Sequence, residues 1–285
     1  AFQQIGSLGI RRIQSTMSGP NQLGLWLLIP FAIGLGSVIS CRVLSGKFTK
    51  KIASFLRVDE SQSVVFHCLY VCLISTAIIL TFSRSAWIAA IVILIASLWI
   101  QFPSERFQEV LVRLIAPFFF FIVLGVMFFP DVLLRFASTR DHFIRPMEAI
   151  RVISSNPFGI GLGTAGPASN RISDTCVHLE EGADPSWALN HPDLCVFVNN
   201  VKVQPLNEDC KCPFLPENWY LQLGVEMGIV GFFLFVTLII LLLSTLRSLP
   251  PGRVPVFAIL FGISIAALFL HAWEDAAIAY TVWIL

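Results

Sequence analysis

Residues 216–231, PENWYLQLGVEMGIVG, end a long polar segment and lead directly into an apolar run. A carboxylate (Glu217), an amide (Asn218) and two aromatic side chains (Trp219 and Tyr220) therefore stand where a membrane-spanning helix would meet water. Trp and Tyr are enriched at that boundary, and polar groups held there are costly and commonly functional. The stretch predicts a membrane protein whose chemistry lies at the water-facing ends of its helices.

The composition supports a membrane protein and argues against a nucleic-acid partner. Hydrophobic residues make up 56% of the chain, charged residues 13%, and the mean hydropathy is +0.78. Soluble domains carry roughly a quarter charged residues. The net charge is +1, and no basic stripe with interleaved aromatic residues is present, so we expect no nucleic-acid binding.

Apolar runs of spanning length predict an all-α fold, a polytopic transmembrane helical bundle with a large extracytoplasmic loop that bears short amphipathic helices. Four spans are expected in residues 1–130, a loop subdomain in 131–225, and two spans with a truncated third in 226–285. The last run, Ala276–Leu285, is too short to cross, and the chain begins without Met, so we expect it to be part of a longer protein. The expected spans are Leu23–Cys41, Val64–Phe82, Ala86–Phe102, Leu114–Phe129, Gly228–Leu246 and Val254–Ala272.

The basic residues of the short loops predict the orientation. Nine Lys and Arg residues lie in loops 42–63, 103–113 and 247–253, which fall on one side if every span crosses. The short loop on the other side carries only Arg84, in a tight hairpin between the second and third spans. Because short cytoplasmic loops are rich in Lys and Arg, loop 131–225 is predicted to be extracytoplasmic, in a multi-pass protein of the plasma (inner) membrane.

The cysteines fit this orientation. Four of the seven lie in the large loop, and an even number in an oxidising compartment favours disulfides. A metal site is the alternative, because His178 and His191 precede a Cys-x-Cys pair, but the spacing fits no common zinc pattern. Free thiols are the third possibility. The four disulfide candidates are Cys176, Cys195, Cys210 and Cys212.

The rest of the loop is predicted to be a surface helix followed by irregular chain. Residues Arg140–Ser155 have an amphipathic pattern suited to a helix on the membrane surface, ended by Asn156-Pro157. The glycine run Gly159-Ile-Gly-Leu-Gly163 lacks the strand, the helix and the Lys of a nucleotide-binding loop, so a tight turn is favoured. Residues 167–215 show no periodic pattern.

Charged side chains at the predicted rim are the candidates for chemistry. Arg84 is either an anion clamp, because guanidinium binds phosphate through a bidentate fork, or an arginine that extends to the head groups. Arg140 and Arg145 are candidates for a second clamp or ordinary loop charges. Glu217 is either a general base or a cap of the following helix.

Four motifs occur in order along the chain. They are Ser18-Gly-Pro-Asn-Gln-Leu-Gly24, Thr81-Phe-Ser-Arg-Ser-Ala86, Asn156-Pro-Phe-Gly-Ile-Gly-Leu-Gly163, and Glu217-Asn-Trp-Tyr-Leu-Gln with Glu226-Met-Gly228 and Gly231. With the predicted topology, this set resembles the bacterial O-antigen ligase and O-antigen polymerase family of multi-span membrane glycosyltransferases. The resemblance covers nearly the whole chain.

The resemblance implies transfer of a glycan from a polyprenyl-diphosphate carrier to an acceptor hydroxyl on a glycan, lipid or protein, at the outer face of the plasma membrane. Membrane lipids surround the enzyme, and no metal or other cofactor is implied. A transporter or flippase of a lipid-linked or anionic solute is the alternative, although the internal repeats expected of one are not evident.

The resemblance also implies residue roles. Arg84 matches the family arginine thought to hold the diphosphate, and Arg140 or Arg145 is a looser match to the second. Family ligases often place His-Asn where this chain has Glu217-Asn218, so the base is Glu217, with Asn218 and Tyr220 in support, or it comes from elsewhere. The other candidate bases are Asp141, His142 and the cluster from His271 to Asp275.

Overall fold

A computed structural model describes residues 4–5, 10–13, 15–43, 60–102, 136–179, 182–199, 201–248 and 253–285. The expected fourth span, Leu114–Phe129, lies outside these ranges. The chain divides into two compact units, one of Ala1–Arg140 with Leu238–Leu285 and the other of Asp141–Thr237. Each is described below by itself.

The described part of the chain is mostly helical. A small antiparallel pair, β1 (Gln4–Ile5) and β2 (Ile10–Arg11), precedes the first helix. The helices are α1 (Pro20–Val43), α2 (Glu60–Leu80), α3 (Arg84–Gln101), α4 (Phe136–Ser155), α5 (Trp219–Arg247), α6 (Val254–Ala266) and α7 (Ala276–Ile284).

Three described helices are long and apolar enough to cross a membrane: Pro20–Ile39 of α1, Arg84–Gln101, and Trp219–Arg247, which is interrupted by non-helical backbone at Gly228. The expected sixth span, Val254–Ala272, is shorter than predicted, because α6 ends at Ala266. Its last turn tightens: the amides of Leu268 and Phe269 donate to the carbonyls three residues earlier, at 3.1 and 2.9 Å. The 13 residues of α6 rise about 20 Å, less than the roughly 30 Å hydrocarbon core.

In the first unit, α1 packs against α2, α3 and α6. Small residues allow these close approaches, as is common between membrane helices. A Cβ added to Gly24 would lie 2.9 Å from the Cβ of Ala86 on α3, and one added to Gly262 of α6 would lie 2.5 Å from Cγ1 of Ile93. The core of this unit is therefore formed by contacts between helices.

The second unit contains a three-stranded sheet, so the all-α prediction is wrong for the large loop, as is the expectation of irregular chain over 167–215. Strand β3 (Thr175–Leu179) pairs in parallel with β4 (Leu194–Val198), which pairs antiparallel with β5 (Val201–Gln204). Short helical turns at Pro167–Arg171 and Ser186–Asn190 precede β3 and β4. Strands of four or five residues carry too short a pattern to be distinguished from loop.

All four candidate loop cysteines form disulfides around this sheet. Cys176 and Cys195 are opposite each other in the β3–β4 pairing, and each is bonded to one cysteine of the Cys-Lys-Cys segment. The bonds are Cys176–Cys212 and Cys195–Cys210. Because bonded sulfurs are not thiolates, these cysteines do not offer the metal ligands that the alternative interpretation required.

The helical part of the second unit packs around a small core. Ala149 of α4, Ala165 of the following loop and Val225 of α5 are fully buried, and partly buried apolar residues surround them: Val152, Ile153, Phe214 and Leu221. The segment predicted as a surface helix, Arg140–Ser155, is helical and forms most of α4. Its other side leaves Ile144 and Met147 exposed.

Candidate functional site

Two of the predicted site residues meet in the second unit. Nη1 of Arg145, on α4, lies 3.1 Å from Oε1 of Glu217, just before α5. The Arg145 side chain is 35% exposed and the Glu217 side chain 24%, so the ion pair is partly shielded yet open to a ligand. The two residues are far apart in sequence, and only the packing of α4 on α5 brings them together.

Glu217 has an unusual backbone conformation, with φ at 54°. This left-handed region is uncommon for residues other than glycine and costs free energy, of order 1–3 kcal/mol. Such strain persists only where the surroundings hold it, and it occurs often at functional sites. Here a buried Pro216 precedes Glu217 and the cap of α5 follows it.

Asn218 is the cap of α5. Its Oδ1 accepts a hydrogen bond from the amide of Leu221 at 3.0 Å, and its carbonyl accepts from the amide of Gln222 at 2.9 Å. The side-chain bond satisfies an amide group that the first helical turn leaves without a partner, and the carbonyl accepts the first bond within the helix. The cap expected at Glu217 is therefore one residue further on, and the Glu217 carboxylate pairs with Arg145 instead.

Helix α5 reverses direction inside residues 216–231. The rings of Trp219 and Tyr220 lie 6.1 and 6.0 Å from the ring of Phe235, whereas residues that far apart in a straight helix are about 24 Å apart. The bend is at Gly228, whose φ of 74° and ψ of −171° are not helical. Residues 219–227 thus fold back on the start of 229–247, and the expectation that the first segment runs straight into the span is wrong.

The glycine run that follows α4 fits into this bend. The amides of Ile160 and Gly161 donate to the carbonyls of Val225 and Glu226 at 2.8 and 3.1 Å. A Cβ on Gly159 would collide with the backbone of Glu226, and one on Gly228 with the backbone of Pro157. Both glycines have positive φ, so close backbone contact and conformation each exclude a side chain.

The Glu226 carboxylate holds the other end of the glycine run. Its Oε1 accepts hydrogen bonds from the amides of Gly163 and Ala165, at 3.0 and 3.2 Å, and the residue is 8% exposed. These amides already donate to Glu226 and are therefore not available to bind a nucleotide phosphate. The glycine run acts as a structural turn. Sequence reasoning assigned Glu226 no role, although a carboxylate in an apolar helix beside a glycine-rich segment was a usable signal.

In the first unit, Arg84 is the first residue of α3 and is partly buried. The hairpin turn before it is strained, because Phe82 has a φ of 50°. Sequence reasoning missed Arg12, which is 5% exposed. Arg12 donates to the carbonyl of Thr81 at 2.8 Å and to Oδ1 of Asn21 at 2.7 Å, so it joins the hairpin turn to the start of α1.

The remaining candidates have other positions. The side chains of Arg140, Asp141 and His142 lie outside the described residues. Asp275 caps α7 by accepting from the amides of Ala277 and Ile278, at 3.0 and 3.3 Å, which gives that carboxylate a structural role. Trp273, in the same cluster, is buried.

No protein-family model, curated protein or solved structure matches this chain. Any assignment of function must therefore be inferred from the residues and their geometry. The best-defined geometry is the Arg145–Glu217 pair, which joins α4 to the residue just before Asn218, the cap of α5.

Proposed function

We propose that this chain is part of a membrane glycosyltransferase of the O-antigen ligase or polymerase type. It would move a glycan from a polyprenyl-diphosphate carrier to an acceptor hydroxyl on a glycan, lipid or protein at the outer face of the plasma membrane. The observation that carries the proposal is the pairing of Arg145 with Glu217, which joins a phosphate-binding group to a carboxylate on strained backbone.

The proposed reaction is a displacement at the anomeric carbon of the glycan. The acceptor oxygen bonds to that carbon, the bond from the carbon to the diphosphate oxygen breaks, and the diphosphate leaves with the electron pair. The acceptor proton passes to the Glu217 carboxylate. Positioning, charge neutralisation and deprotonation are all that such a reaction with a stabilised leaving group requires.

The ion pair gives this mechanism a resting state. Guanidinium binds phosphate oxygens through a bidentate fork, and a diphosphate carries more charge than one carboxylate. Donor binding at Arg145 therefore competes with Glu217 and releases the carboxylate for the acceptor hydroxyl. Arg145 would act as the phosphate ligand and Glu217 as the base.

Arg84 is proposed as a further phosphate ligand on the strength of its motif. It stands at the first position of α3, and no side chain caps that helix through Ser83. Helix N-termini and arginine both favour anions.

The outer-face location is supported by the charge of the short loops and by the two disulfides of the second unit. Disulfides persist in oxidising compartments. These observations favour a loop outside the cytoplasm.

Glycan analysis of the cell envelope, with and without the intact gene, tests the proposal. We expect the acceptor to lose its glycan and the polyprenyl-diphosphate-linked glycan to accumulate at the outer face, open to an impermeant lectin on spheroplasts. Donor that accumulates only on the inner side would identify a flippase instead. An unchanged glycan profile would reject both functions.

A further inference from the structure

Three apolar side chains are exposed at the glycine run. Phe158, Ile160 and Leu162 occupy every second position, between the glycines. Phe158 is 88% exposed and Leu162 is 76% exposed, and Ile160 is exposed as well. Single exposed apolar residues are ordinary on a protein surface, but three within one turn form a surface suited to an apolar partner. These three residues form the apolar tip.

Close backbone contact fixes the apolar tip beside the start of a membrane-length helix segment. The amide of Ile229 donates to the carbonyl of Pro157 at 2.9 Å. A Cβ added to Gly228 would lie 2.6 Å from the carbonyl carbon of Phe158 and 2.7 Å from its Cα. Phe158 therefore lies against the first residues of the part of α5 that follows the bend.

The length of that part of α5 determines where its first residue lies in a membrane. Residues 229–246 contain no charged side chain, and Arg247 follows them. They rise about 27 Å along the helix, close to the roughly 30 Å of a hydrocarbon core, so none is left over. To cross the core, the segment must place Ile229 at its edge. Phe158, which is fixed beside Ile229, then lies at the same edge.

The backbone of the turn can leave water because its amides are paired within the protein. The amide of Ile160 donates to the carbonyl of Val225 at 2.8 Å. The amides of Gly163 and Ala165 donate to the Glu226 carboxylate at 3.0 and 3.2 Å. Unpaired backbone groups are costly outside water, so these bonds remove a main obstacle to contact with lipid.

We propose that the apolar tip inserts into the lipid bilayer at the boundary of head groups and acyl chains, and holds the bend of α5 there. Phe and Leu side chains bury apolar area at such a boundary. Lipid is favoured over a protein partner because Val230 and Phe233, on the membrane-length segment, are exposed as well in the described part of the chain. One apolar medium can cover the tip and the helix start together. The contact does not depend on the reaction proposed above.

Collision rates of spin labels test the insertion. A nitroxide is attached to Phe158→Cys or Leu162→Cys in the full chain, in phosphatidylcholine nanodiscs, with Cys41, Cys68 and Cys72 replaced by Ser. Oxygen concentrates among acyl chains, whereas a water-soluble nickel chelate is excluded from them. We expect the ratio of oxygen to nickel collision rates to be several-fold higher at the apolar tip than at an aqueous position.

Two leucines of the same unit are matched controls. Leu189 and Leu206 are 79% and 81% exposed, close to the value for Leu162. Leu189 lies in the helical turn before β4, and Leu206 follows β5, so neither belongs to the bend. Labels at Leu189→Cys and Leu206→Cys should give the low ratio of a position in water.

Three results would overturn the proposal. Nickel collision rates at the apolar tip as high as those at the controls would place the tip in water. Low collision rates with both reagents would show that protein covers the tip, either another segment of this chain or a second copy. Equally raised ratios at the controls would show that the label enters lipid wherever it is attached.

Discussion

At the scale of single residues, the proposed function depends on an ion pair between a carboxylate and a guanidinium. Glu217 stands in strained backbone beside Arg145, and Asn218 performs the capping that Glu217 was expected to share. A residue that is held in a strained backbone conformation, and whose side chain does not cap the helix, is a strong candidate for chemistry.

Replacing Glu217 with Gln should remove the base while keeping the size of the side chain. General-base help is typically worth about 10²–10⁴ in rate, so transfer should fall by that order while donor binding survives. The measurement is in vitro transfer with a polyprenyl-diphosphate glycan, beside a donor-binding assay. Glu208→Gln, at an exposed position of the same unit, is the control. Wild-type turnover in Glu217→Gln would move the search to Asp141, His142 or the His271–Asp275 cluster.

Arg84 should not be replaceable by Lys. A point charge lacks the bidentate fork, so Arg84→Lys should express normally yet lose most transfer, and Arg84→Ala should lose more, on the order of a hundredfold. Arg171→Lys, at an exposed position, should transfer normally. Full activity in Arg84→Ala would show that the residue only extends to the head groups.

At the scale of elements, the bend of α5 and the glycine run form one interlocked structure. Gly228 and Gly159 touch backbone from the opposite segment, and the amide of Ile229 donates to the carbonyl of Pro157 at 2.9 Å. Because the bend holds the start of α5 against the glycine run, damage to it should disturb the helical part of the second unit.

Alanine variants of two glycines separate the cost of backbone strain from the cost of a steric collision. Gly163 has a φ of 78° with nothing near its missing Cβ, so Gly163→Ala should cost only the conformational strain, about 1–2 kcal/mol. Gly228→Ala adds a collision with the backbone of Pro157, and we expect a loss of about 3 kcal/mol or more. Thermal unfolding of the two variants in detergent makes the comparison, and equal losses would contradict the interlock.

The three-stranded sheet should depend on its two disulfides. Mass spectrometry of non-reduced protein should find the linked peptides Cys176–Cys212 and Cys195–Cys210. Cys176→Ser should cost about 2–5 kcal/mol, because it releases a constraint on the unfolded loop. Loss of that order should impair folding of the loop more than insertion of the spans. Four free thiols, or another pairing, would reject the arrangement.

At the scale of the whole molecule, the short-loop charges predict on which side of the membrane the large loop lies. The three membrane-length helices agree with a membrane protein, and the orientation is a prediction from the short-loop charges. Compartment decides whether the disulfides persist and whether a lipid-linked donor on the outer face can reach Arg145.

Single-cysteine labelling tests the orientation. The loop cysteines are all bonded, so the background needs to lack only Cys41, Cys68 and Cys72. A membrane-impermeant thiol reagent should modify Ser186→Cys in intact cells and spare Lys50→Cys. The reverse pattern would overturn the topology and the proposed site.

The sequence by itself determined the properties that depend on composition and on neighbours along the chain. Apolar length predicted α1, α2 and α3, the amphipathic pattern predicted the helical segment Arg140–Ser155, and cysteine number and compartment singled out the four bonded cysteines. Local hydrogen bonding and hydrophobicity act within a few residues, so a single sequence reports them well.

Only the tertiary structure decided the contacts between distant segments. Four such contacts join residues that share no local sequence pattern. They are the Arg145–Glu217 ion pair, the reversal at Gly228, the hydrogen bonds from the glycine run to Glu226, and the β3–β4 pairing. Each depends on which surfaces pack together and on where a backbone can approach with no Cβ in the way. Those are properties of the folded chain, because many segments must be in place before any one of these contacts can form.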